Sequence, residues 1–370
     1  MKTSARIAWL TLVVALPALA CAKDPNYGPT TGTGGSSTAG TGGGAPPVDS
    51  GLPSSFKWSS TGPLLTAKQD ATHPILSVKD PSVIYADGRW HVFATTADTA
   101  GNWSIVYVSF TDWSQADAAP LYYLDNKPPG LRVYHAAPQV FYFAPQSKWY
   151  LLFQSGQPQY STNDDVGNPA AWTAPVNFFA SDPPGYTAHV GTGGFWLDFF
   201  CICDDANCHL FFADDAGELF RSQTAVGDFP RGFGDATVAI QGVKETVFEG
   251  DMTYHIKGKD AYLTLVEAFG PTGNRFFRSF VSPTLDGVWT PLAADWTNPF
   301  AGKTNVTFTD GAWTADISHG ELIRNGYDQK LEIDPTNLQL LYQGADPSTT
   351  SLDYSQIPWK ISLLTQVTPL

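Results

Sequence analysis

Apolar residues in this chain come in short runs of four to six, many broken by a turn and followed by a second run. Such runs are too short for helices and suit buried strands joined by hairpins. One unit recurs: a small or acidic residue, an apolar strand, a polar turn, then an apolar-aromatic strand. The first copy is Asp80-Pro81-Ser82-Val83-Ile84-Tyr85, a turn at Asp87-Gly88, and Trp90-His91-Val92-Phe93. The second is Ala137-Pro138-Gln139-Val140-Phe141-Tyr142 with a return at Trp149 to Phe153. The third runs Asp198 to Cys203 and returns at Leu210-Phe211-Phe212. The fourth runs from Glu249 through Tyr254 and returns at Ala261-Tyr262-Leu263. The fifth begins at His319, turns at Asn325-Gly326, and is expected to return at Lys330-Leu331-Glu332-Ile333.

The starts at 80, 137, 198, 249 and 319 are spaced as four-stranded blades with long loops would be. The pattern predicts an all-β fold, a five-bladed β-propeller over residues 55–370. A β-sandwich of this length without a break is uncommon, and β-helix repeats are much shorter. Composition agrees: 34 Gly and 28 Pro leave little room for long helices, and 14% of residues are aromatic. The formal charge of −14 argues against nucleic acid or an anionic membrane as partner. A monomer is expected.

The first 20 residues carry Lys2 and Arg6, an apolar run from Ile7 to Leu19, and a small-residue ending at Ala20. That is the layout of a secretory signal, and the run is shorter than the roughly 20 residues that span a bilayer. Cys21 follows directly, as in a bacterial lipoprotein signal, so the chain is expected to be secreted, with lipid attachment at Cys21 left open. Residues 21–54, rich in Gly, Thr, Ser and Pro, read as a flexible tether. Of the other cysteines, Cys203 and Cys208 flank a tight turn and can pair across a hairpin, or remain buried thiols alongside Cys201. Their spacing fits no standard zinc site.

In a propeller the first strand of each blade lines the axis, so equivalent strand starts converge on one face. Here those starts bring together Asp80, the His135/Ala137 region, Asp198, Glu249 and His319. Like charges at close range raise one another's pKa, so at least one acid should keep its proton near neutrality. Chemistry that needs one ionised and one protonated carboxyl, with a third tuning them, is glycoside hydrolysis.

At these residues the sequence resembles glycoside hydrolase family 62, the α-L-arabinofuranosidases acting on arabinoxylan. The likeness rests on Lys79-Asp80-Pro81-Ser82, Ala136 to Phe143, Trp196-Leu197-Asp198, Phe248-Glu249 and Asp316 to Leu322. Leu363-Leu364-Thr365 after Pro358-Trp359 resembles the family's closing strand. The resemblance implies an inverting mechanism with Asp80 as general base, Glu249 as general acid, and Asp198 holding arabinose and adjusting the acid. It implies that Lys79 bonds the sugar, that Gln154, Arg278 and Tyr354 contact substrate, and that His319 helps hold a structural calcium ion at the axis. An arabinoxylan or related plant cell-wall polysaccharide is the expected partner. Asp251, where the family more usually has a small residue, adds a fourth carboxylate beside the acid. Two rival readings stay open: a family-43-like xylosidase or arabinanase, and a non-catalytic sugar-binding propeller.

Overall fold

The computed structural model describes residues 48–126, 131, 134–190, 196–349 and 351–367. The expected signal, Cys21 and most of the expected tether lie outside the described residues. The tether's last residues, 48–54, lie against the globular body: Ser50 is buried, Val48 and Leu52 touch the core, and Asp49 pairs with Lys259 at 2.7 Å.

Five antiparallel sheets surround an axis. Blade I is built, from the axis outward, of Ile75–Ala86, Arg89–Asp98, Trp103–Phe110 and Tyr122–Tyr123. Blade II is Ala136–Phe143, Lys148–Ser155, Gln157–Asn163 and Val176–Asn177. Blade III is Leu197–Cys203, Asn207–Ala213, Glu218–Ala225 and Thr237–Gln241. Blade IV is Met252–Ile256, Tyr262–Phe269, Arg275–Ser282 and Thr290–Pro291. Blade V is closed by both ends of the domain. Ser318–Leu322, Gln339–Gly344 and Lys360–Gln366 are followed by the early strand Trp58–Ser60, which pairs with Gln366 to Leu364. Apolar faces of neighbouring blades pack on each other, so the core lies between sheets.

The fifth repeat departs from its expected form. Glu332–Ile333 does not return as a blade strand; it pairs in parallel with His255 and Ile256 of blade IV. The N–H of Asn325 donates to the Glu332 carbonyl at 2.7 Å, so the Asn-Gly signal closes a loop of its own and the true return strand is Gln339–Gly344. At the third repeat the hairpin expectation holds: Cys203 and Cys208 form a disulfide, and Cys201 is a buried free thiol.

The inner strands share a local distortion where they reach the funnel, mid-strand in blade I and at the second residue in blades II and III. Asp80, Ala137, Asp198 and Gly250 occupy equivalent places in blades I to IV with φ of 47°, 49°, 55° and 66°. In blades I to III the ladder register slips there, the mark of a β-bulge. The left-handed region costs a non-Gly residue on the order of 1 kcal/mol, and Asp tolerates it better than most. A bulge leaves an N–H unpaired, and each is taken up by a side chain of the preceding blade. The N–H of Asp80 donates to Gln343, that of Ala137 to Thr95, that of Asp198 to Gln154, and that of Gly250 to the Asp198 carboxylate. The N–H of His319 donates to Glu267 and completes the circle.

Closure through Trp58 supplies the last inter-sheet contact. Its side chain is fully buried, its indole N–H donates to the Phe300 carbonyl at 2.6 Å, and it packs on Phe56 and Phe300. Trp58→Ala should therefore cost about 3–5 kcal/mol in urea unfolding. A loss under about 1 kcal/mol would mean that closure does not depend on this strand.

Candidate active site

The capped bulges aim the side chains at the strand starts into one funnel. Asp80 is buried, with the Lys79 ammonium 3.1 Å from Oδ2 and His319 Nδ1 3.7 Å from Oδ1. His319 Nδ1 lies also 3.3 Å from Asp198 Oδ2, so one imidazole bridges two of the expected carboxylates. Burial works against a charged His319, but Asp198 and Asp80 outweigh it and push its pKa up to about 10. Burial likewise opposes ionisation of Asp198; His319, the Gly250 N–H and Lys79 nevertheless hold that carboxyl below its ordinary value.

Glu249 takes the opposite state. It immediately precedes Gly250, the blade IV residue equivalent to Asp80, and is buried at the same mouth. Burial is the main force on it. Asp198, Glu267 and Asp215 add to the effect, Arg275 opposes it, and the pKa rises to about 8. Arg275 Nη1 donates to Glu249 Oε1 and to Glu267 Oε1, both at 2.8 Å. Asp251, the fourth carboxyl, is buried, and neither of its oxygens has a hydrogen-bond partner among the described residues. Burial and the neighbouring Asp198 raise its pKa well above the ordinary value, with His319 opposing them.

The remaining expected residues divide. Lys79 Nζ donates to the Tyr354 hydroxyl at 3.2 Å and sits 4.0 Å from the Trp103 ring. Its pKa is raised: burial opposes the charge, and Asp80, Tyr354 and Glu249 more than compensate. Tyr354 lies on a short turn, Tyr354–Gln356, against Trp103 and Trp359, with Arg275 over its ring. Gln154 reaches the site as a support: its carbonyl accepts the Asp198 N–H and its amide donates to the Tyr134 hydroxyl.

Arg278 does not reach it. Three residues along the strand from Arg275, it donates to the carbonyls of Ala294 and Thr246 and lines a separate cleft with Arg221 and Trp289 between blades III and IV. Arg275 is paired with Phe269 at the active-site end of its strand, whereas Arg278 is paired with Val266, farther down the blade. Strand spacing alone does not say which end of a strand meets the funnel. Sequence reasoning missed Arg275, Glu267, Gln343, Trp103 and Tyr134. One signal was available: Thr95, Gln154, Glu267 and Gln343 are polar residues near the ends of otherwise apolar second strands.

Calcium takes six to eight oxygen ligands. Among the described residues no three His, Cys, Asp or Glu side chains form a group able to hold a metal ion, and His319 turns Nδ1 to two carboxylates. A calcium ion at His319 would therefore draw most of its oxygen ligands from water or backbone carbonyls.

Comparison with known proteins places the arrangement. The sequence pattern of glycosyl hydrolase family 62 matches residues 57–365. Alpha-L-arabinofuranosidase C of Cellvibrio japonicus is 41% identical over 318 residues, which cover 85% of this chain and 47% of that protein. The chain thus spans about half the length of this curated relative. The catalytic domain of a Coprinopsis cinerea family 62 α-L-arabinofuranosidase shares 52% identity with a TM-score of 0.82, covering 85% of this chain and 98% of its own. An α-L-arabinofuranosidase of Podospora anserina, solved with cellotriose, shares 43% identity with a TM-score of 0.81, covering 86% and 99%. A thermostable family-43 glycoside hydrolase, 14% identical with a TM-score of 0.54, shares the fold alone. With its match spanning the whole propeller, and the three carboxyl groups gathered in one funnel, the chain belongs to glycosyl hydrolase family 62.

Proposed function

We propose that this protein is an inverting α-L-arabinofuranosidase that removes arabinofuranosyl side chains from arabinoxylan, acting outside the cell as a monomer. The observation that carries the reading is the split between carboxyls in one funnel. Glu249 keeps its proton to about pH 8, while Asp198 is held ionised and Asp80 lies between two cations.

In the reaction Asp80 accepts a proton from water as the water oxygen bonds to the anomeric carbon. The bond from that carbon to the xylose oxygen breaks, and the departing oxygen takes the proton of Glu249. Attack on the face opposite the leaving group inverts the α-linkage to β-arabinofuranose. Glu249 is left as a carboxylate beside Arg275, which already touches it, and exchange with solvent returns the proton. Asp198 stays ionised to accept from a sugar hydroxyl. Lys79, fixed by Asp80 and Tyr354, donates to another. Trp103, Tyr134 and Tyr354 form one aromatic cluster beside Lys79, a surface chemistry suited to sugar C–H groups.

Proton NMR of arabinoxylan digestion should show β-L-arabinofuranose first, and Glu249→Gln should lower kcat by about 10²–10⁴-fold. Release of xylose or arabino-oligosaccharides would favour a family-43-like activity, and binding without release a sugar-binding module. The pH profile of kcat/KM should fall on its alkaline side near pH 8, where free-enzyme Glu249 loses its proton. Arg278→Ala should leave kcat/KM within roughly twofold of the parent; a tenfold fall would put Arg278 back in the substrate site.

A further inference from the structure

Glu267 is buried, lies one blade strand away from the acid, and takes no part in the steps above. Its two oxygens receive only donors. Arg275 Nη1 donates to Oε1 at 2.8 Å, the Ser318 hydroxyl lies 3.0 and 3.1 Å from the two oxygens, and the His319 N–H donates to Oε2 at 2.9 Å. Burial raises the Glu267 pKa, while Arg275, the His319 imidazole and the His319 N–H pull the other way, so the hydrogen bonds at its oxygens favour the carboxylate. The same Arg275 nitrogen that holds Glu267 also holds Glu249 at 2.8 Å. The guanidinium is therefore divided between an anion with no chemical task and the acid that must keep a proton.

We propose that Glu267 is a positioning residue that, through Arg275, sets the orientation and proton affinity of the general acid Glu249. The inference rests on the reading of Glu249 as the acid. Without a competing anion, the whole Arg275 charge would fall on Glu249 and favour its ionised form, leaving it unable to protonate the departing oxygen at neutral pH. With Glu267 in place, Arg275 can orient Glu249 without stripping its proton, and it is still at hand when Glu249 becomes an anion. The other charged or titratable groups around Glu249 are Asp198 and Asp215, which act in the same sense as Glu267, with Lys79 and Tyr354 on the blade I side.

The test is the pH profile of kcat/KM for arabinose release by the full chain, compared with Glu267→Gln, Glu267→Asp and Arg275→Gln. Glu267→Gln keeps the shape but removes the competing charge, so its alkaline limb should move down by about one pH unit. Glu267→Asp keeps the charge and should bring the limb back toward the parent position. Arg275→Gln removes the cation and should move the limb up, along with a fall in kcat from the loss of a contact to the acid. Should Glu267→Gln fail to fold, Glu267→Ala removes the same charge and takes its place: its limb should also move down, and an unmoved limb would overturn the proposal. An active parent whose limb stays in place in Glu267→Gln, with only kcat or stability lowered, would overturn the proposal and leave Glu267 a structural cap. A parent that releases no arabinose would instead overturn the functional reading beneath it.

Discussion

Everything at the mouth of this propeller depends on one requirement: a backbone N–H exposed at a buried strand bulge must find an acceptor. Leaving such a group unpaired costs about 1–3 kcal/mol, and five strand entries face the same problem. The solution is cyclic, each blade supplying the acceptor for the next through Thr95, Gln154, Asp198, Glu267 and Gln343. The caps bind each blade to its neighbour and fix the bulge geometry that turns Asp80 and Asp198 toward the axis. Asp198 does both jobs at once, capping Gly250 while standing in the reaction funnel.

The same ring determines how charge is distributed. Five carboxyl groups crowd a small buried region, and among the described residues Lys79, Arg275 and His319 are the cations paired with them. Were every acid ionised, repulsion and lost hydration would work against the fold. Lys79 and His319 lie against Asp80 and Asp198, Arg275 is shared between Glu267 and Glu249, and burial raises the pKa of Glu249 and of Asp251. Catalytic asymmetry thus comes from unequal surroundings: Asp198, Glu267 and Asp215 add to the effect of burial on Glu249, whereas His319, the Gly250 N–H and Lys79 outweigh burial at Asp198.

Much of this was legible in the sequence, for reasons tied to particular residues. Apolar runs at Val83, Val140, Ile202, Tyr254 and Leu322 repeat because every inner strand is buried on both faces, so blade number and the convergence of Asp80, Asp198 and Glu249 could be read directly. The Cys203–Cys208 bridge was visible because its turn is short. What escaped were partners distant in sequence. Arg275 and Arg278 share a strand and differ only in how far each lies from its active-site end, which register decides. The return strand of the fifth blade was misplaced because Asn325-Gly326 is a strong local turn signal, yet the chain uses it to reach blade IV. Gln154, expected to contact the sugar, accepts the Asp198 N–H through its side-chain carbonyl, a partner 44 residues away that the sequence does not display.

The central claim is that Glu249 keeps its proton through neutral pH while Asp198 is ionised. Carbon-13 NMR titration of the side-chain carboxyls, with Glu249→Gln to assign the signal, measures this without turnover. The account requires a midpoint near pH 8 for Glu249. A midpoint near the ordinary glutamate value of 4.5 would contradict it, since a carboxyl already ionised at neutral pH has no proton to give the leaving group.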